Sequence, residues 1–526
     1  MIGGSRACYT RATRGERATR SARFPGGRAR GGRRAVWRRG DKGRSVSHLR
    51  VSSVLFVIAL TAALGVCAPA AADALSDGIA ALNQGDVSRA IDLLRQAADK
   101  KPDDASAWAW LGSAQLRAKQ YADAVESLSK AVGLDPKMPE AQNNLGSAYW
   151  ALGRGKEAIE HYQESIYLQP HYAGAHYNLG TVYLALGQLE QAIGEFSVAV
   201  ELEPGNADAQ NNLGVAYERS GRPEEAAAAY RKAAELRPDS ESLRVNLALA
   251  LRAAGKQEEA IAELSRLVAA DTKNATVFAN LGLIRYERKE YAQALDAFKR
   301  AIELDPNGAA AHYNLGLCAR QLGLRAEARE GFRKAVELDP KAVSARINLG
   351  AMELEDGRPE VAVDQFAAAL RYRPDSYPAA FNLGIAYVRL GSDEDAVRVW
   401  SALEQQSPQD VAVKEALASA YFRLHRYDEA RREYEALVGL KPDDIGAYNN
   451  LGIIHEEFGE LDKAAEAYRA ALSIDPNYAP AHNNLGVVYE RQGKTQEAIA
   501  EYRAALAADP NLDDARQNLQ RLAPSE

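Results

Sequence analysis

Acid–base, nucleophilic or metal chemistry in this 526-residue chain would have to come from eight histidines, three cysteines and the carboxylates. A metal site needs ligands at short, regular spacing, such as two histidines one helical turn apart. No cysteine or pair of histidines meets that spacing. Gly153-Arg154-Gly155-Lys156 has the glycines and lysine of a phosphate-cradling loop. However, Glu157 stands where a Ser or Thr hydroxyl would meet magnesium, and the upstream glycine is missing. Cleavage after Ala72 would remove Cys8 and Cys67 and leave Cys318 alone, so no disulfide within the chain is expected. The expectation is a protein that is not an enzyme, with no catalytic residues, no cofactor and no metal.

Asparagine recurs more regularly. Asn143-Asn144-Leu145-Gly146 returns at Asn211, at Asn449 and at Asn483, with successive starts 68, 238 and 34 residues apart, all multiples of 34. A carboxamide offers one acceptor and two donors, which suits it to holding a peptide backbone irrespective of sequence.

A 34-residue ruler laid from Ala71 gives thirteen frames that end at Leu512 with no insertion or deletion, starting at 71, 105, 139, 173, 207, 241, 275, 309, 343, 377, 411, 445 and 479. Position 20 is alanine in all thirteen frames, position 8 is glycine in eleven, and position 32 is proline in twelve, with Thr272 the exception. Position 24 is always large and apolar or aromatic, as in Leu128, Phe196, Trp400 and Tyr502. Positions 4, 7, 8 and 11 share one stripe of a first helix, and positions 20, 24, 27 and 28 form the matching stripe of a second. Glycine at position 15 in ten frames supplies a left-handed residue to end the first helix, and the proline blocks continuation of the second. Glycine inside a helix costs about 1 kcal/mol relative to alanine. Eleven glycines at position 8 therefore imply a neighbouring helix that passes too close for a side chain.

These residues resemble the tetratricopeptide repeat family: Leu-Gly at 7 and 8, Ala at 20, a large apolar residue at 24, mostly Ala at 27 and Pro at 32. The resemblance covers residues 71–512, about 84% of the chain. It implies an all-α fold, a right-handed superhelical solenoid of about thirteen 34-residue helix-turn-helix repeats with a concave inner groove. Such an array buries each helix pair only against its neighbours, so its ends need covers. Residues 73–512 are read as the array and 513–526 as a C-terminal capping helix. The family's aromatic at position 4 is present in Trp108, Phe278 and Tyr448 and replaced in Gln142, Gln210 and Arg244. His176, His312 and His482 fall at the same position, read as packing. His425 is at turn position 15, and His455 replaces tyrosine at position 11. The family's clamp for a C-terminal carboxylate needs Lys at position 5 and Asn at position 9, and no frame has either.

Position 6 carries Asn144, Asn178, Asn212, Asn246, Asn280, Asn314, Asn348, Asn382, Asn450 and Asn484; Ala416 breaks the row, and Asn518 continues it into the cap. Asparagine is a mediocre helix former, so packing or binding must favour it. Positions 2, 6, 9 and 13 share a face separate from the 4, 7, 8, 11 stripe, and the resemblance places that face on the concave groove. The row is similar to that in the repeat domain of protein O-linked N-acetylglucosamine transferase, where it holds extended peptides. The resemblance implies peptide binding at these ten asparagines, without a transferase domain. Bonding of the asparagines to the next repeat is the competing reading.

Residues 1–50 hold fifteen basic and two acidic residues, a net +13, whereas residues 51–526 hold fifty and sixty-nine, a net −19. That acidic balance argues against nucleic acid, whose phosphates call for concentrated Lys and Arg. The first fifty residues are read as a disordered extension or as sequence upstream of the true start. Residues 51–72, with the apolar run Val54 to Val66 and the small-residue exit Ala70-Ala71-Ala72, are read as a signal peptide or a membrane anchor. Leu64-Gly65-Val66-Cys67 adds a lipoprotein-like reading. The expected product is exported, periplasmic or extracellular, and touches a membrane only through an uncleaved or lipidated N-terminus. Its expected work is non-catalytic: a scaffold that binds extended segments of other proteins. The alternatives are a membrane-tethered assembly factor of the cell envelope or an accessory subunit of an enzyme.

Overall fold

The structure, a computed structural model, describes residues 73–523. The basic extension, the signal or anchor segment and Pro524 lie outside the described residues. Twenty-seven α-helices and no strand are found among the described residues. In every full repeat after the first, the first helix starts at position 1 of the ruler and the second at position 17, as in Ala207–Arg219 and Pro223–Leu236. The described residues fall into two compact units, one ending at Pro306 and the other starting at Asn307. Seven helix pairs make up the former, and six pairs with the terminal helix Asp513–Leu522 make up the latter.

Turn geometry sets this register. Position 15 is left-handed in all thirteen repeats: ten are glycines, and Lys119, Lys289 and His425 adopt φ of 61°, 65° and 57° without the glycine. A non-glycine residue there costs about 1 kcal/mol or more, so packing of the two helices imposes the turn even where the sequence does not favour it. Position 32 behaves differently. Where proline is replaced by Thr272, the second helix ends early at Ala269 and Asp271 turns left-handed at φ 57°.

The thirteen alanines at position 20 and the large residues at position 24 are all buried. A Cβ added at the position 8 glycines would overlap the position 24 side chain of the same repeat, for example the Phe196 ring from Gly180 at 2.9 Å and the Tyr230 ring from Gly214 at 2.7 Å. The expected close approach is thus made chiefly by a large side chain laid across the glycine. Leucine at position 24 accompanies one exception, Ala248 with Leu264.

A second buried face runs along the first helices at positions 3 and 10, which the 4, 7, 8, 11 stripe does not include. Ala175 and Val182, Val277 and Ile284, and Ala379 and Ala386 are examples, each at most 0% exposed. This face meets the second helix of the preceding repeat, as Ala207–Arg219 meets Leu189–Leu202. Each first helix is therefore sandwiched. Cys318 occupies position 10 in its helix; burial pushes its thiol up to about 12, so it packs as a small apolar residue.

Within the unit ending at Pro306, successive first helices touch, as Ala105–Arg117 touches Pro139–Ala151, and successive second helices make no comparable contact. The same holds in the other unit, where Val343–Glu355 touches Tyr377–Leu390. Each stack therefore curves toward its first helices, and position 6 faces the inside of that curve.

Candidate functional site

Asn212, Asn314 and Asn382 are buried, while Asn144, Asn178, Asn246, Asn280, Asn348, Asn450 and Asn484 are half-buried. Position 6 lies between the buried positions 3 and 10 on its helix, and its carboxamide stands at the seam between two repeats. Its partner comes from position 5 of the preceding repeat. Asn178 Nδ2 donates to Asn143 Oδ1 at 2.9 Å, Asn212 to the Tyr177 hydroxyl at 3.2 Å, and Asn246 to Asn211 Oδ1 at 3.1 Å. Asn484 donates to Asn449 Oδ1 and Asn518 to Asn483 Oδ1, both at 3.2 Å. The acceptor is a side chain of the repeat before, not backbone of the repeat after.

The rule has a corollary. Asn144, Asn280 and Asn382 follow Ala109, Val245 and Ile347, which have no side-chain acceptor to offer. These three carboxamides and that of Asn314 make no hydrogen bond to any described residue, and none of their polar atoms is sealed from solvent. Asn348 accepts from Arg320 at 2.9 Å and donates to the Ser344 carbonyl, and Asn450 donates to the Tyr434 hydroxyl at 2.9 Å. The row is thus of two kinds: amides spent on joining repeats, and amides left without a partner among the described residues.

Aliphatic and aromatic residues flank the unpartnered amides. In the unit after Pro306, Leu317, Ile347, Phe381 and Ile385 are half-buried along the same face. Further along, the face becomes polar, with Glu456 taking the Tyr468 hydroxyl at 2.6 Å and Arg491 at 3.3 Å.

Position 4, read from the sequence as a packing slot, packs where it is Phe278 or Ala380 and forms a polar bridge where it carries an N–H. Such a side chain donates to the carbonyl of the position 32 proline in the preceding repeat: Trp108 to Pro102 at 3.0 Å, Arg346 to Pro340 at 2.9 Å, and Arg244 to Pro238 at 3.2 Å. It also pairs with position 23 of its own repeat, as in Arg244 with Glu263, Gln142 with His161, and His482 with Glu501. Residues as different as Trp, His and Arg are interchangeable here because each carries an N–H at the right reach. The signal was in the sequence, since glutamate at position 23 accompanies His176, Arg244, Lys414 and His482 at position 4.

His176 bonds Glu195 at 2.6 Å through Nδ1 and Pro170 O at 3.1 Å through Nε2. Burial opposes its charge, but the Glu195 carboxylate and the Pro170 carbonyl outweigh burial and hold the imidazole above its ordinary range. A histidine raised on folding stabilises fully below its unfolded pKa and loses that contribution as pH rises through the folded one. His176→Gln is therefore expected to cost about 1 kcal/mol at pH 5.5, the scale of one net hydrogen bond, and less at pH 8.5, as read from urea midpoints.

Among the described residues no group of three His, Cys, Asp or Glu is placed to hold a metal ion. No described helix is long and apolar enough to cross a membrane. Two shallow surface hollows are lined by Pro374 and Ala380 and by Pro102 and Trp108.

Sequence profiles described as tetratricopeptide repeats match residues 75–139, 177–241, 347–411 and 415–479, with further profiles on 137–203, 217–281, 282–323, 309–342 and 479–512. No curated protein sequence matches the chain. Among solved structures, MamA is 33% identical over 30% of this chain and 93% of its own, with a TM-score of 0.29. A thermophilic tetratricopeptide protein of Thermus thermophilus is 29% identical over 34% of this chain and 97% of its own, also at 0.29. Yeast Tom70 is 17% identical over 81% of this chain and 96% of its own, at 0.30. Since family profiles tile nearly all of residues 75–512 in the register of the helix pairs, the chain belongs to the tetratricopeptide repeat family.

Proposed function

We propose that the protein is a non-catalytic scaffold whose inner face binds extended segments of other proteins along the position 6 asparagines. The observation that supports this reading is the set of four carboxamides without a partner among the described residues, half-buried Asn144 and Asn280 and the more deeply set Asn314 and Asn382, on the first helices toward which each stack curves. An extended backbone offers alternating N–H and C=O groups, and an amide answers either. The bonded asparagines, Asn178, Asn212, Asn246 and Asn484, fix the spacing of the row by joining repeats. Many weak contacts at that spacing add through linkage along one ligand.

The test is selection of random 16-residue peptides displayed on phage against the full chain and against Asn144→Ala/Asn280→Ala/Asn314→Ala/Asn382→Ala. Peptides enriched by the parent are expected to bind the variant at least about tenfold more weakly, the scale of one or two net hydrogen bonds, with an unchanged circular dichroism spectrum. Equal binding by the folded variant would refute the role of the unpartnered amides. The four bonded asparagines, changed together to alanine, are expected to lower the urea midpoint instead.

The apolar run Val54 to Val66 supports work outside the cytoplasm, with the array released by cleavage near Ala72 or tethered through residues 51–72. N-terminal sequencing of the mature protein separates these: a start near Asp73 means release, and a blocked or lipidated Cys67 means tethering.

A further inference from the structure

One position 4 residue breaks the pattern of the others. From Ala105 onward every repeat carries a long or aromatic side chain there, except the repeat that starts at Tyr377, which has Ala380. Its companion at position 23 is Val399, where Glu195, Glu263 and Glu501 stand in other repeats. The alanine methyl packs on the cluster with Trp400 and Leu403. Outside it a hollow of about 350 Å³ is left, walled by Leu370, Pro374, Val399, Ala402 and Leu403.

The proline carbonyl of this slot is left over as well. Trp108, His176, Arg244, Arg346 and His482 donate to the carbonyls of Pro102, Pro170, Pro238, Pro340 and Pro476. The Pro374 carbonyl accepts no hydrogen bond from any described residue, and Pro374 is exposed, so the acceptor can be reached from outside. The slot therefore combines apolar walls with one reachable acceptor.

The chain itself shows what fits such a slot. Trp108 lies in the equivalent place, with Nε1 on the Pro102 carbonyl at 3.0 Å and Lys130 over its ring at 4.4 Å. Ala402 holds the position of Lys130 in the repeat with Ala380, and Arg398 at the rim of the hollow supplies a cation to stack on a ring. An arginine or a protonated histidine from outside would meet Arg398, already paired with Asp395, and would find no carboxylate at Val399. Charge therefore disfavours both. Phenylalanine would fill the walls but leave the carbonyl unanswered. Indole suits walls, acceptor and charge together. Because the hollow is shallow, it buries too little of a free small molecule, whereas a side chain delivered by a larger surface does not depend on enclosure.

We propose that this hollow is a docking site for one tryptophan side chain of a partner protein, whose Nε1–H donates to the Pro374 carbonyl. Its walls come from two successive second helices, Pro359–Tyr372 and Asp393–Gln406, on the side away from the first helices toward which the stack curves. The site is thus separate from the asparagine row and does not depend on the peptide-binding reading.

The test is methyl NMR of the full chain titrated with the peptide Gly-Gly-Trp-Gly-Gly. Saturable shifts are expected at the methyls of Leu370, Val399 and Leu403. Methylating the indole nitrogen is expected to weaken binding about fivefold, the scale of one net hydrogen bond. Free indole is expected to bind about tenfold more weakly than the peptide, since Gln406 at the rim can meet the flanking peptide groups. Ala380→Trp, which fills the slot from within as Trp108 does, is expected to abolish the shifts. No saturable shift in the parent, or shifts that persist in folded Ala380→Trp, would overturn the site. Equal binding of the methylated peptide would overturn recognition through the Pro374 carbonyl, and equal binding of free indole would overturn a protein as the source of the ring. The methylated-peptide comparison uses the parent alone, so it stands even where Ala380→Trp folds poorly.

Discussion

Lys414→Met is expected to destabilise the unit after Pro306 by about 2 kcal/mol at pH 7, less than the roughly 3–5 kcal/mol of a fully buried pair because both carboxylates keep some solvent. Lys414 occupies position 4 and is only 12% exposed at its side chain, where it joins Glu404 of the preceding repeat to Glu433 of its own. Methionine keeps the stem and its packing but leaves two carboxylates facing one another without a cation. Burial, and the Glu404 carboxylate beside it, already push Glu433 above the usual carboxylate range, with Lys414 opposing. In the variant that opposition is gone, so protons bind more readily to the folded than to the unfolded state. The penalty should then shrink as pH falls from 7 to 4.5, and Lys414→Met/Glu433→Gln should recover most of it at pH 7. Amide hydrogen exchange in the helices Val411–Arg423 and Tyr427–Leu440 reads the effect locally, which matters because repeat arrays need not unfold in one step. A pH-independent loss would mean that repulsion between the two carboxylates does not set the penalty.

Gly384→Ala should destabilise its repeat by about 1–2 kcal/mol, although alanine is the better helix former by about 1 kcal/mol. The added methyl would overlap the indole of Trp400, whose Nε1 donates to the Phe381 carbonyl at 3.2 Å and is thereby fixed in place. The ring cannot move aside without giving up that bond. Adding Trp400→Leu to Gly384→Ala should reduce the cost of the alanine, because Ala248 opposite Leu264 shows the pair in use elsewhere in the chain. Ala418 stands opposite Tyr434 in another repeat, so the same change at glycines facing tyrosine should cost less. Exchange in Tyr377–Leu390 and Asp393–Gln406 measures both variants. A gain in protection for Gly384→Ala would show that helix propensity outweighs overlap at this crossing.

The two variants probe the two kinds of contact that make a repeat: a close crossing within a helix pair, and a polar bridge across the turn between pairs. Neither touches the unpartnered asparagines. A stability change at these sites therefore leaves the peptide-binding tests interpretable, whereas changes at Asn178, Asn212, Asn246 or Asn484 affect both.

The sequence by itself determined the helix pairs and their register. A period of 34 with Gly at 8, Ala at 20 and Pro at 32 places every second helix between positions 17 and 30 in twelve repeats, because those residues act locally through the turn, the crossing and the stop. Sequence periodicity also found the asparagine row, since one residue type at one position needs no structure to be counted. What it left undecided was what each asparagine meets. Position 5 of one repeat and position 6 of the next lie 35 residues apart, and only stacking makes them neighbours. The same stacking turns positions 3 and 10 into a second buried face and makes position 4, where it carries an N–H, a bridge to a proline carbonyl. Left-handed turns at Lys119, Lys289 and His425 were likewise settled by helix packing, against local preference. Local chemistry fixes what one repeat is; the contact between repeats decides which of its polar groups are already satisfied and which remain open.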